Sequence, residues 1–257
     1  GAFAMNAIAH GDGAATFTDS ITQEFQWARS LMNLLLIWTK GYWGGLKTHL
    51  KFEYAFSQLW YVLFAVVMLL GFSFPIIALF TGTPWVSVPL VEFYVRSAIL
   101  TIYVVCAVVF IQKQGWFRPS YAPVMSWELV LFQFIRWPWV VYACVQSVLG
   151  VILKKEFAFK VTPKNIQGAK QLPFKVLLPY MIICAANLVA LLLVDNSSKA
   201  NGYTYFCLLN SSIYVIVMAL VVFLHIKENW THLNITIFKL VKYAGINIAI
   251  IALLGTL

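Results

Sequence analysis

Residues Phe52–Phe80 read FEYAFSQLWYVLFAVVMLLGFSFPIIALF, with no charged side chain after Glu53. The run exceeds the roughly 20 residues that an apolar helix needs to cross a bilayer. Similar runs occupy Pro89–Ile111, Phe174–Val194 and Thr204–Ile226. The 257-residue chain is 61% hydrophobic and only 11% charged. We therefore predict an all-α membrane protein, a polytopic bundle of transmembrane helices with amphipathic interface helices.

The net charge of +9 comes from lysines that cluster between the apolar runs. Basic loops are typical of the cytoplasmic side, where they face anionic lipid. We expect a multi-pass protein of a bacterial inner membrane, with membrane lipids as partners and no nucleic acid. The cysteines lie inside apolar runs without CxxC spacing and the histidines are scattered, so we predict neither a disulfide framework nor a metal site.

A short polar and aromatic cluster, Gln23-Glu24-Phe25-Gln26-Trp27, precedes the first apolar run. Gln23 can donate and accept hydrogen bonds, and Trp27 offers a flat apolar face suited to stacking on a sugar ring. Thr18-Asp19-Ser20 are good N-cap residues for a helix that carries the cluster. The competing interpretation is the start of an amphipathic helix with a core tryptophan.

The cluster resembles the Gln-x-x-Arg-Trp motif of processive family-2 glycosyltransferases, the cellulose synthase and hyaluronan synthase type. In that family the motif stands before an interface helix and a series of membrane spans. The resemblance implies that Gln23 and Trp27 bind the acceptor. Gln26 departs from the family pattern, because a neutral amide cannot neutralise a diphosphate as arginine does. The roles of Gln26 and nearby Arg29 stay open.

A second motif supports the same resemblance. Residues 159–164 read FKVTPK, which is similar to the Phe-x-Val-Thr-x-Lys gating loop of cellulose synthase-like enzymes. The resemblance implies a lid over the nucleotide-sugar pocket, formed by Phe159, Val161, Thr162 and Lys164. A lysine suits diphosphate charge and a hydroxyl suits hydrogen bonding. The competing interpretation is a basic juxtamembrane loop with a Thr-Pro turn.

The resemblance implies that the parent protein polymerises a nucleotide diphosphate sugar into a β-linked polysaccharide and translocates it. The catalytic base and a divalent metal, Mg or Mn, would lie upstream, so we expect no catalytic residue here and no activity from this segment alone. The chain starts Gly-Ala-Phe-Ala, and we expect an α/β nucleotide-sugar domain before Gly1. The growing polysaccharide is an expected partner, and accessory export subunits are further candidates.

Two alternatives remain. The first is a multi-pass transporter or channel subunit without catalytic activity, which would use the same spans and basic loops. The second is a lipid-linked sugar transferase of the same superfamily that extrudes no polymer. The gating motif at residues 159–164 counts against the second alternative.

The predicted organisation has six parts. They are the end of the cytosolic glycosyltransferase domain (1–27), an interface helix bent at its glycines (28–51), two spans (52–111), a cytoplasmic loop with an interface helix (112–153), the gating loop (154–173), and two to three further spans (174–257).

Three local features accompany this organisation. Trp127–Leu153 lies between two basic loops, so we predict an interface or re-entrant helix that does not cross, interrupted at Pro138. Glu92 and Arg96, four residues apart, can pair on one helix face. Asn210 and the serines after it can bond a neighbouring helix or line a channel.

Overall fold

The computed structural model describes residues 13–14, 16–85, 90–117, 121, 123–155, 172–193, 200 and 202–233. All regular structure in these ranges is helical, without a strand. The prediction of an all-α fold is therefore confirmed for the described part of the chain. The α/β domain expected before Gly1 stays a prediction.

Seven α-helices follow one another along the described chain. They are α1 (Phe17–Asn33), α2 (Thr39–Tyr42), α3 (Thr48–Thr81), α4 (Leu90–Lys113), α5 (Trp127–Ile152), α6 (Phe174–Leu193) and α7 (Tyr203–Leu233). A π-helical turn, Leu34–Trp38, joins α1 to α2, and a 3₁₀ turn, Trp43–Gly45, follows α2.

Five of these helices, α3 to α7, are long and apolar enough to cross a membrane. The longest, α3, has 34 residues and so extends about 51 Å at 1.5 Å per residue. The length and composition of the five helices indicate a multi-pass membrane protein, as the sequence predicts.

The first helix begins earlier than the sequence suggests. Thr16, rather than Thr18, Asp19 or Ser20, is the N-cap. The Thr16 hydroxyl accepts from the Asp19 backbone N–H at 3.2 Å and donates to the Asp19 carboxylate at 2.7 Å. This reciprocal pair is similar to a capping box and satisfies an N–H that the helix itself leaves unpaired. Asp19 therefore stabilises the start of α1.

The interface helix predicted over residues 28–51 is divided. Its first residues continue α1, the regular helix changes to a π turn at Leu34, and the segment ends with the 3₁₀ turn at Gly45. The break predicted at the glycines is confirmed. Thr48–Lys51 belong to α3 instead, so the first apolar helix starts before Phe52.

The described residues form two compact units. The first unit takes the described residues that fall within Gly1–Val66, Pro138–Leu178 and Met218–Leu253, and the second takes those within Val67–Trp137 and Pro179–Val217.

In the first unit, small side chains allow three helices to pack closely. Ala28 of α1, Ala65 of α3 and Ala143 of α5 are buried in one cluster with Tyr61 and Val140. Alanine at such positions lets helix backbones approach one another, a common feature of helix packing in membranes. This cluster holds α1 against α3 and α5.

In the second unit, the hydroxyls of two tyrosines bond backbone carbonyls of α5. Pro138 lies inside α5 and has no N–H for the carbonyl of Phe134, four residues earlier. The Tyr214 hydroxyl donates to that carbonyl at 3.3 Å, and the Tyr180 hydroxyl donates to the next one, of Ile135, at 2.8 Å. The prediction that Pro138 interrupts the helix is wrong: α5 continues through Pro138, and the Tyr214 hydroxyl supplies the donor that the Phe134 carbonyl lacks.

Aromatic packing surrounds this hydrogen-bonded junction. The Trp137 indole N–H donates to the Tyr214 hydroxyl. Phe72 of α3 stacks on Trp137 with ring centroids 5.3 Å apart and an interplanar angle of 4°. Phe72 also contacts the Tyr214 ring edge-on at 5.2 Å. Residues from α3, α5, α6 and α7 thus share one buried aromatic cluster.

Helices α6 and α7 also share polar contacts in this unit. The Asn210 amide lies at hydrogen-bond distance, 3.5 Å, from the Asn187 side-chain oxygen. The Asn187 amide donates to the Ile183 carbonyl at 2.8 Å. Asn210 therefore has the first of its two predicted uses, an interhelical hydrogen bond.

Helix α4 is the most exposed of the five long helices. Its most apolar continuous stretch of 18 residues contains no buried residue. Its contact with α7 consists of aromatic side chains, with Phe93 edge-on to Phe206 at 5.4 Å. Glu92 and Arg96 form the predicted ion pair on its exposed surface.

Helix α5 is continuous over 26 residues. Like the other four long helices, it is long and apolar enough to cross a membrane. The prediction that it lies along the interface without crossing stays a prediction. Residues 156–171, which include the FKVTPK motif of the predicted gating loop, and residues 234–257, which include the last predicted crossing, lie outside the described residues.

The junction at Pro138 leads to a stability prediction. Tyr214→Phe removes the donor to the Phe134 carbonyl and the acceptor for the Trp137 indole N–H. We expect the free energy of unfolding in detergent to fall by about 1–2 kcal/mol. Tyr205→Phe is the control, because Tyr205 lies on the same helix and is exposed. Equal stability of the two variants, measured by thermal unfolding, would contradict the assignment.

Candidate functional site

The motif residues Gln23 and Trp27 both lie within α1. Four residues apart on an α-helix, they occupy the same face. Gln23 is half-buried, and Trp27 keeps 51% of its surface exposed. The prediction of a helix that carries the cluster is confirmed. Because the Trp27 ring is open on one side, a flat apolar ligand can stack on it.

Gln26, which stands where the resembled family has arginine, is buried together with Arg29. The two side chains are 5% and 6% exposed. The Arg29 guanidinium donates to the Gln26 side-chain oxygen through Nη2 at 2.8 Å, and Nη1 lies 3.4 Å from the Gln146 side-chain oxygen. The Gln26 oxygen is therefore engaged inside the protein.

Besides its hydrogen bonds to the two glutamine side chains, Arg29 makes other contacts that link α1 to α5. Its guanidinium lies 5.6 Å from the centroid of the Phe25 ring, a cation–π contact. Phe25 in turn stacks on Tyr142 at 5.4 Å, and the Ser147 hydroxyl donates to the Arg29 carbonyl at 3.4 Å. Burial lowers the pKa of the Arg29 guanidinium from its ordinary value, which is high enough for the group to stay charged.

Glu24 is also held on the inner side of α1. It is 5% exposed, and the Tyr61 hydroxyl of α3 lies 3.4 Å from its carboxylate. Glu24, Gln26 and Arg29 therefore fix the rotation of α1 about its axis. Trp27 faces outward as a consequence, since it follows Gln26 by one residue, about 100° around the helix.

A groove of about 240 Å³ lies beside this network, and we call it the α1–α5 groove. Its lining combines three aromatic rings, three hydroxyls and one carboxamide with apolar side chains. The residues are Thr18, Ile21, Thr22, Phe25, Gln26, Trp139, Tyr142 and Val176.

Such a lining suits a small polar ring with apolar faces, because aromatic rings stack on the faces and hydroxyl or amide groups bond the rim. The sequence did not point to Trp139 and Tyr142, which are about 115 residues from the motif. Only the packing of α5 on α1 brings them to Gln26. Gln23 and Trp27 are not among the lining residues.

The predicted gating residues Phe159, Val161, Thr162 and Lys164 lie outside the described residues. Within the described ranges, no group of three histidine, cysteine, aspartate or glutamate side chains is arranged to hold a metal ion. The four cysteines are free thiols.

Comparison with known proteins finds no matching family model, curated protein or solved structure.

The Arg29 network leads to a second stability prediction. Arg29→Met keeps the side-chain length but leaves the Gln26 and Gln146 oxygens without their donor. We expect a loss of about 1–3 kcal/mol in the free energy of unfolding. Lys113→Met removes an equal charge from an exposed site and should stay within about 0.5 kcal/mol of the original protein. Chemical denaturation in detergent distinguishes the two, and similar losses would argue against the network.

Proposed function

We propose that this chain is the acceptor-binding and channel-forming membrane part of a processive glycosyltransferase that builds and translocates a β-linked polysaccharide. The observation that carries the proposal is the order of two motifs. Gln23 and Trp27 precede the first two apolar helices, and the FKVTPK segment follows α5. A chance match to one short motif is common, whereas the correct order with spans between them is more specific.

The exposure of Trp27 agrees with a role in acceptor binding. The ring lies on a helix that is outside the five candidate spans and leads into α3 through only a short connection. A tryptophan at the entry to a membrane helix can hold the end of a sugar polymer by stacking, without recognising one particular linkage. Such a contact tolerates the repeated advance of the polymer that processive synthesis requires.

The Gln26 substitution changes what the motif can do. In this chain Arg29 binds Gln26 and packs on Phe25. We infer that the Gln23–Trp27 segment contributes stacking and hydrogen bonding to the acceptor but no charge to the departing diphosphate. The diphosphate would then be neutralised by Lys164 of the lid and by a divalent metal held elsewhere in the parent protein.

The chemistry expected of the parent protein is a substitution at the anomeric carbon. The acceptor hydroxyl oxygen forms a new bond to that carbon, the bond from carbon to the nucleotide diphosphate breaks, and a base upstream of this chain takes the hydroxyl proton. The residues of this chain would orient the acceptor and enclose the donor.

The transporter alternative requires different residues within the spans. A transporter commonly places ionisable side chains near the middle of its spans. The Asn187–Asn210 contact in the second unit joins two helices, a use that does not require a transport pathway. The two functions are separated by measuring sugar transfer.

Substitution in the full-length protein tests the proposal. Trp27→Ala removes the stacking surface, and we expect incorporation of radiolabelled nucleotide sugar into polymer to fall about tenfold in inner-membrane vesicles, with Trp27→Phe retaining part of it. Thr162→Ala should also lower incorporation. Trp60→Ala is the matched control, because Trp60 is 48% exposed on α3 and lies outside both motifs.

The outcome decides between the hypotheses. If the Trp27 and Thr162 variants lose incorporation while folded protein persists in the membrane, the acceptor and lid assignments stand. Full activity in both variants would make the motif matches coincidental and bring the transporter hypothesis forward.

A further inference from the structure

A second groove lies where α3 begins, and it belongs to neither motif. Its volume is about 300 Å³, and we call it the α2–α3 groove. The lining residues come from the π turn, α2, the connection to α3 and the first turns of α3. They are Leu34, Thr39, Tyr42, Leu46, Tyr54 and Gln58.

The groove has an open mouth and a polar floor. Tyr42 and Tyr54 are 68% and 51% exposed, whereas Gln58 is only 4% exposed. The Thr39 hydroxyl lies 2.8 Å from the Gln58 side-chain oxygen and 2.9 Å from the Leu34 carbonyl, and its single hydrogen serves one of them at a time. No hydrogen bond from the Gln58 NH₂ group to a described residue accompanies these contacts, so the group can donate to a ligand.

Basic residues are close in sequence to the residues that line the groove. Lys51, Tyr54 and Gln58 follow the i, i+3, i+7 spacing of one face of α3, and Lys47 comes directly before the first residue of that helix. The Lys51 ammonium lies 5.9 Å from the Trp43 ring centroid. Residues 34–58 contain three lysines, one histidine and a single acidic residue, Glu53. The segment is therefore suited to an anionic ligand.

The position of the groove along the chain indicates where it lies relative to the membrane. Helix α3 is long and apolar enough to cross a membrane, and in such a crossing its first turns would lie where the chain enters the membrane. The surrounding tryptophan and tyrosine side chains are exposed, as in the aromatic belts at membrane interfaces. The groove therefore opens at the level of the lipid headgroups.

We propose that the α2–α3 groove binds the headgroup of an anionic phospholipid. The phosphate pairs with Lys47 and Lys51, and the Gln58 NH₂ group donates to a headgroup oxygen. Leu34 and Leu46 provide an apolar wall for the start of an acyl chain. A choline headgroup fits less well, because its own cation would lie among the lysines.

Native mass spectrometry of the full-length detergent-solubilised protein with phosphatidylglycerol tests this site. Each lysine near an anionic lipid surface contributes a factor of about five in affinity. We therefore expect Lys47→Gln combined with Lys51→Gln to lower phosphatidylglycerol retention about 25-fold. The matched control, Lys113→Gln with Lys175→Gln, removes the same charge from other exposed positions and should retain lipid as the unmodified protein does.

A second variant probes the floor of the groove. Gln58→Glu places a carboxylate where the phosphate would approach, so it should also weaken retention while both surface lysines remain. Phosphatidylcholine should be retained poorly by every form. The proposal is overturned if both lysine pairs have the same effect, if phosphatidylcholine is retained equally well, or if millimolar glycerol phosphate displaces the lipid.

Discussion

The structure depends on the requirement that backbone polar groups inside a membrane protein find partners within the protein. Pro138 breaks the hydrogen-bond ladder of α5, and the carbonyl of Phe134 is then satisfied by the Tyr214 hydroxyl of α7. Tyr214 makes further contacts besides this hydrogen bond, because its hydroxyl oxygen also accepts from the Trp137 indole N–H and its ring packs against Phe72. A local defect in one helix thus specifies which helices must pack around it.

The same physical requirement organises the candidate site in the first unit. Buried polar side chains need partners, and Glu24, Gln26 and Arg29 find theirs on α3, on α1 itself and on α5. Since all three lie on the inner side of α1, the helix has one rotation that satisfies them. That rotation exposes the Trp27 ring. The exposure of the proposed acceptor surface is therefore set by contacts that do not touch the acceptor.

Several features could be predicted from the sequence because they depend on local information. Hydropathy predicted the long apolar helices, and the glycines up to Gly45 predicted the break before α3. The spacing of four residues between Glu92 and Arg96 predicted their ion pair. Other features depend on residues distant in the chain. The continuity of α5 requires Tyr214, 76 residues beyond Pro138, and Trp139 and Tyr142 reach Gln26 only through packing. The N-cap at Thr16 was missed because three later residues also had suitable side chains.

The central claim is that a growing sugar polymer contacts the exposed face of α1. A photo-crosslinking phenylalanine analogue placed at position 27 of the full-length protein tests it directly, with the same analogue at position 60 as reference. After synthesis from radiolabelled nucleotide sugar and illumination, the account predicts that label becomes attached to the protein at position 27 and not at position 60. Polymer synthesis with equal labelling at both positions, or with none at position 27, would contradict it.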